Sequence, residues 1–204
     1  MKFLIVDDQP IIIKAVSQTI LDIYPSSKIM GVNTITEASN ILKNVNFDLI
    51  IASLDFKGEK QFDVVELAKF YGNKCIVYSG HFNTAFIKKS QELGAIAFIS
   101  KLGSLDDLCY AIKNFRKLEH FICRFCKQND SSNSRHEFLW PNLKGVDELI
   151  LDRLLIQMPR NKIAKELKLT RDSLNTYINR MNVRNNCNLL VLIHRYIIWK
   201  RSKK

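Results

Sequence analysis

Side chains able to do acid, metal or phosphate chemistry stand at the ends of short apolar runs in the first half of the chain. Asp7 and Asp8 follow KFLIV (2–6), Ser53 lies in DLIIASL (48–54), Ser79 closes KCIVYS (74–79), and Lys101 follows AIAFIS (95–100). Paired carboxylates are hard oxygen donors of the kind that hold Mg²⁺; the plainer reading is a polar strand end. Lys101 can serve a phosphate, or it can neutralise Asp7 and Asp8 as a structural ion pair. Ser53 is the weak member of the set, because a neutral hydroxyl is a poor Mg²⁺ ligand and, without an activating base, a poor nucleophile. Asp55 stands two residues further on.

A second group lies in the last third: Arg160, Lys162, Lys165, Thr170, Arg171, Ser173, Asn175, Thr176, Tyr177 and Arg180. Guanidinium and ammonium groups bind backbone phosphates, and an asparagine amide can pair with adenine. Charge is distributed to match. The formal net charge is +11, and residues 137–204 carry 14 Lys/Arg against 6 Asp/Glu, whereas residues 1–136 carry 17 against 14. A basic C-terminal third points to a polyanion partner, although solubility alone also explains a basic surface.

A third group, His120, Cys123, Cys126 and His136, has Cys-x-x-Cys spacing of the type zinc sites use. The reading preferred here is free structural thiols packed with Phe121, Ile122 and Phe125 at a helix end, and five cysteines is an odd count for disulfide pairing. With only 7 glycines there is no glycine-rich phosphate loop. No Ser-His-Asp order stands out, so no enzyme is expected.

The elements that must position these groups follow from periodicity. Apolar runs at 2–6, 28–32, 48–54, 74–79 and 95–100 alternate with helix-like stretches at 10–23, 35–44, 62–71, 83–93 and 104–117. In 10–23, Ile12, Ala15, Val16, Ile20 and Ile23 recur near 3.6 spacing. Buried strands alternating with helices imply a five-stranded parallel sheet covered on both faces, in the doubly wound flavodoxin-like order. The segment KQNDSSNSRH (127–136) has no aliphatic or aromatic side chain and reads as a linker. Helical periodicity then fills 143–200. The expected organisation is 1–117, a helix end and linker at 118–136, and an all-α domain at 137–204. No run of about 18 apolar residues predicts a membrane span, the N-terminal run is too short for a secretory signal, and a cytoplasmic location is expected.

At its strand ends the first 117 residues resemble the receiver domain of bacterial two-component response regulators. VDD, YSG and FISK correspond to that family's acidic pair, fourth-strand hydroxyl and fifth-strand lysine. The resemblance implies that Asp7 and Asp8 bind Mg²⁺, that Ser79 and Lys101 contact phosphoryl oxygens, and that Phe98, three before the lysine, is the switch aromatic; as a core residue Phe98 is equally well explained. The family's phosphoacceptor aspartate falls five residues after Asp-Leu and five before Gly. Asp48-Leu49 and Gly58 both place it at Ser53, and the usual proline is Lys57. A pseudo-receiver follows, without ordinary aspartyl phosphorylation, with no cofactor beyond weakened Mg²⁺ at Asp7 and Asp8. A phosphotransfer-competent site using Asp55 or Ser53 is the minor alternative.

Residues 143–198 resemble the LuxR-type helix-turn-helix of the NarL/FixJ class, through Pro159–Leu167 and Leu169–Tyr177. Ile163, Ala164 and Leu167 should pack the scaffold helix, Thr170 should cap the recognition helix, and Leu174 should anchor it. The resemblance implies Arg160, Lys162 and Lys165 on phosphates and Arg171, Ser173, Asn175, Thr176, Tyr177 and Arg180 on the DNA side. Met181–Asn185 matches the stretch after the recognition helix, yet follows Tyr177 about four residues too early, near one helical turn. Leu189, Leu190, Leu192, Ile193, Tyr196, Ile197 and Trp199 form a last helix, for dimer contact or core packing. The expectation is a DNA-binding regulator acting as a dimer. The rival is an interaction protein that heterodimerises with a related regulator and contributes few base contacts.

Overall fold

The structure, a computed structural model, describes residues 1–56, 62–129, 141–185 and 187–202. The chain divides into two compact units, Met1–His136 and Glu137–Lys204.

Unit one is built on six parallel strands: β1 (Lys2–Val6), β2 (Lys28–Val32), β3 (Leu49–Ala52), β4 (Cys75–Ser79), β5 (Ala95–Ser100) and β6 (Phe121–Ile122). Their order is β2-β1-β3-β4-β5-β6. β3, β4 and β5 are buried along their whole length, as strands covered on both faces must be, while β2 at the edge is largely exposed. The helices are α1 (Pro10–Ile23), α2 (Ile35–Leu42), α3 (Asp63–Phe70), α4 (Thr84–Glu92), α5 (Leu105–Asn114) and α6 (Arg124–Asn129).

Local chemistry starts these helices where the strands hand over to them. Pro10 occupies the first turn of α1, where a missing N–H costs nothing. Thr34, Asn83 and Ser104 cap α2, α4 and α5 by accepting from the amides of Glu37, Phe86 and Asp106. Ile12, Val16 and Ile20 are buried on α1, and Leu108, Ala111 and Ile112 on α5. Gly31 on β2 lets α1 approach closely: a Cβ there would lie 2.3 Å from Ile13 Cγ2.

The second unit contains α7 (Asp147–Leu155), α8 (Arg160–Glu166), α9 (Arg171–Arg184) and α10 (Leu189–Ser202). Its core gathers Ile150, Leu151, Ile163, Ala164, Leu174, Ile178, Met181, Leu192 and Tyr196. Arg184 on α9 pairs with buried Asp147 at the start of α7, and the Tyr196 hydroxyl of α10 donates to Asp152 Oδ1 of α7 at 2.8 Å.

All five expected strands and the flavodoxin-like order are present. Two segments differ from expectation. Residues expected to be a helix end form β6, a two-residue strand that adds to the free edge of β5, and residues 127–129, expected to be linker, complete α6. The strand is too short for periodicity to reveal it. Residues 130–136 of the expected linker, His136 among them, and Lys57 and Gly58 lie outside the described residues.

Candidate functional site

The carboxyl ends of β1, β3, β4 and β5 converge on one cleft. Asp7 is buried immediately after β1, and Asp8 beside it is half-buried. Ser53 follows β3 and is 1% exposed. Ser79 ends β4 and is fully buried, and Lys101 follows β5 at 1% exposure. The lysine ammonium lies 2.6 Å from Asp7 Oδ2, 3.0 Å from Ser53 Oγ and 3.3 Å from Asp55 Oδ2.

Asp55 also turns into this cleft. The Ser53 hydroxyl oxygen accepts from the Asp55 amide at 3.1 Å, which closes a tight local turn and carries the carboxylate back over the strand ends. There it accepts from the Ser79 hydroxyl (2.9 Å to Oδ1), from the Gly80 amide (2.8 Å to Oδ2) and from the His81 amide (3.3 Å to Oδ1). His81 Nδ1 lies 2.5 Å from Oδ1.

Charge in this cleft is tightly organised. Burial pushes the Asp7 carboxyl up to about 6, only partly offset by the Lys101 ammonium and the Gln9 amide. Burial acts to lower Lys101, but the carboxylates of Asp7 and Asp55 outweigh it and leave its pKa raised. A buried lysine between two carboxylates is the arrangement in which a buried charge is tolerable, because each ion keeps partners. Phe98, on β5 beside this lysine, is 1% exposed.

In the second unit, the Thr170 hydroxyl oxygen caps α9 by accepting from the Ser173 amide at 3.0 Å. Leu174, Ile178 and Met181 form the buried stripe of that helix. Arg171, Thr176 and Arg180 are exposed, and Ser173, Asn175 and Tyr177 are half-buried. On α8, Arg160, Lys162 and Lys165 are exposed while Ile163 and Ala164 are buried. Leu167, expected in the scaffold core, is half-buried. The two helices meet through a contact the spacing did not announce: Arg160 Nη1 donates to Asn175 Oδ1 at 3.1 Å. The Thr176 hydroxyl donates back to the Asp172 carbonyl at 2.9 Å. α9 does not stop at residue 180. It runs unbroken to Arg184, so Met181–Arg184 are its last turn rather than the stretch that follows it.

Three comparisons bear on this architecture. The response regulator receiver domain model matches residues 3–113. The chain belongs to that family. No curated protein sequence matches it. Among solved structures, RcsB from Salmonella enterica serovar Typhimurium bound to promoter P1flhDC, in the presence of phosphomimetic BeF3⁻, is 18% identical. That match covers 96% of this chain and 97% of the other, with a TM-score of 0.56. A second RcsB structure, from Salmonella typhimurium, is 18% identical over 95% of this chain and 97% of that one, with a TM-score of 0.57. A LuxR-family two-component response regulator from Aurantimonas sp. SI85-9A1 is 18% identical over 62% of this chain and 92% of that one, at 0.54. At these identities the likeness is one of fold.

Three features of the cleft work against Mg²⁺ at Asp7 and Asp8. A hydroxyl stands at position 53, Asp7 Oδ2 is held by Lys101, and Asp7 Oδ1 accepts from the Gln9 amide at 3.0 Å. Among the described residues no group of three or more His, Cys, Asp or Glu is placed to hold a metal. Cys123 and Cys126 are buried, and the Cys126 thiol holds Cys123 down to about 7 by hydrogen bonding. Cys123 lies between β6 and α6 and Cys126 within α6, rather than at the end of the preceding helix as expected. His81 escaped sequence reasoning, and Asp55 entered it only as a minor alternative acceptor, not as a partner of Ser79 and Lys101. The available signal was positional: each stands two residues beyond a cleft residue at a strand end, close enough for a turn to bring it back.

Proposed function

We propose that this response regulator is a DNA-binding transcription regulator of two-component type whose receiver works without aspartyl phosphorylation, and that it acts as a dimer in the cytoplasm. The observation that carries the reading is Ser53, which the sequence spacing assigns to the acceptor position, buried after β3 and hydrogen-bonded to Lys101. A neutral hydroxyl with a lysine ammonium as neighbour has no base to activate it, and a lysine drawn to two carboxylates supplies none. DNA as partner is supported by the basic surplus of residues 137–204, by the exposed cations of α8 and α9, and by the fold shared with an RcsB described as bound to promoter DNA. A structure described as two RcsB dimers bound to two parallel DNAs supports the dimer.

The test is purified full-length protein on promoter and random duplexes, with and without acetyl phosphate or beryllofluoride and Mg²⁺. Tight, salt-sensitive binding that these reagents leave unchanged is the expected result. A phosphoryl adduct at Ser53 or Asp55 in mass spectrometry overturns phosphorylation independence. A protein that binds no DNA alone but joins a related regulator replaces the homodimer reading with the heterodimer one.

A further inference from the structure

The donors around Asp55 form a receptor for an anion, and the anion is already covalently part of the chain. The two carboxylate oxygens of Asp55 take the Ser79 hydroxyl, the Gly80 and His81 amides, the Lys101 ammonium and a close approach from His81 Nδ1. Asp55 is 7% exposed, and a buried carboxylate is tolerable only where such a set of donors replaces water. By the receiver resemblance, Ser79 and Lys101 are the side chains that meet phosphoryl oxygens. Here they meet a carboxylate two residues past the acceptor position.

We propose that the Asp55 carboxylate is an internal stand-in for the phosphoryl group, holding Ser79, Gly80 and Lys101 in their anion-engaged arrangement permanently. This deepens, and rests on, the phosphorylation-independent reading given above. Ser53 is the matching half of the device. Its oxygen accepts from the Asp55 amide, fixing the turn that aims the carboxylate, and it also meets Lys101. An aspartate at position 53 would place a second negative charge against Asp55 and compete for the same lysine. Ser53 and Asp55 together exchange a modifiable acceptor for a fixed anion. The loop after β3 is thereby tied to the loop after β4 with no reaction required, and Phe98 on the adjoining strand is buried.

The experiment uses the full-length protein and its Asp55→Asn and Asp55→Ala variants. Hydrogen–deuterium exchange at the Gly80 and His81 amides should quicken by about tenfold or more in both, the worth of a lost charge-assisted bond. In Asp55→Ala, sodium formate should restore that protection where sodium chloride of equal ionic strength does not, and the wild type should respond to neither. If Asp55→Ala fails to fold, the near-isosteric Asp55→Asn carries the exchange test. Wild-type protection in the variants, or lost protection that formate does not recover in a folded Asp55→Ala, overturns the proposal. Failure of the wild type to bind DNA would overturn the proposed function and leave this exchange result standing; phosphoryl incorporation would overturn the reading on which both rest.

Discussion

Asp55 reaches the cleft by a turn of two residues, and that offset separates what a carboxylate can do there from what the acceptor position requires. Ser53→Asp alone should therefore be a poor repair. Its new carboxylate adds a further negative charge to a cleft where Lys101 already serves Asp7 and Asp55. Ser53→Asp with Asp55→Ala should bind Mg²⁺ several-fold more tightly than Ser53→Asp alone, measured by calorimetry; equal affinities would show that Asp55 does not compete. The acid residue beneath the lysine gives a pH prediction. Burial raises the Asp7 carboxyl from 3.8 to about 6, so the folded protein holds this proton more tightly than the unfolded chain. Its contribution to stability is thus fully present below pH 4 and is lost as the pH rises through about 6, up to roughly 3 kcal/mol for a shift of about two units. Urea unfolding of wild type and Asp7→Asn should show the wild type losing ground between pH 4 and 7; parallel profiles would refute it. Asp7, Ser79 and Lys101 were legible in the sequence because strand ends are legible. His81 was not, and the role of Asp55 was not, since the aim of a loop side chain depends on hydrogen bonds such as that from the Asp55 amide to Ser53 Oγ, which no periodicity encodes.

At the scale of elements, the turn between α8 and α9 holds the two helices that carry the exposed cations. Lys168 in that turn has φ 55°, a left-handed conformation that a side chain disfavours, and the Leu169 amide closes the turn on the Ala164 carbonyl at 2.8 Å. Lys168→Gly should raise stability by about 0.5–1 kcal/mol in thermal or urea unfolding, because glycine has no Cβ to strain. Thr170→Ala should lower it by about 1 kcal/mol, since it removes the cap that accepts from Ser173. A loss on Lys168→Gly would mean that the lysine side chain contributes more than the turn costs. The helix that follows bears on the four residues by which the sequence departs from the LuxR-type pattern it resembles. Spacing alone left open whether the recognition helix was shortened. The continuous α9 of 14 residues, about 21 Å long, keeps its buried stripe of Leu174, Ile178 and Met181 and brings Arg184 onto Asp147. On α10, Leu192, Ile193, Tyr196 and Ile197 are buried, and only Leu189, Leu190 and Trp199 of the seven apolar residues expected there are half-buried. Those three are the residues of that set left partly accessible for a dimer contact.

At the scale of the whole molecule, the receiver proposed to work without a phosphoryl switch has to be self-associated already or be controlled by another ligand or partner, and the first alternative predicts that sedimentation at micromolar concentration shows a dimer whose population acetyl phosphate leaves unchanged. A clean monomer would point to a partner regulator instead. How the helical unit meets DNA is then set by which of its side chains are free to read and which are free only to hold. Lys162 is exposed on α8, and as a phosphate contact it should act alike on every sequence. Asn175 is different, for its Oδ1 accepts from Arg160, which leaves the amide N–H₂ to donate outward while the guanidinium fixes its orientation. Asn175→Ala should cost about 1–3 kcal/mol on the target duplex and little on random DNA. Lys162→Ala should weaken both alike and flatten the salt dependence by about one unit of slope. Arg160→Ala should combine the two effects, losing a phosphate contact and also part of the specificity of Asn175, because it frees the amide to rotate. Binding isotherms of the three variants on both duplexes, at several salt concentrations, decide the matter. Equal and sequence-independent losses for Asn175→Ala and Lys162→Ala would mean that another face of α9 reads the bases, and a specificity for Arg160→Ala as high as that of the wild type would mean that its bond to Asn175 does not survive on DNA.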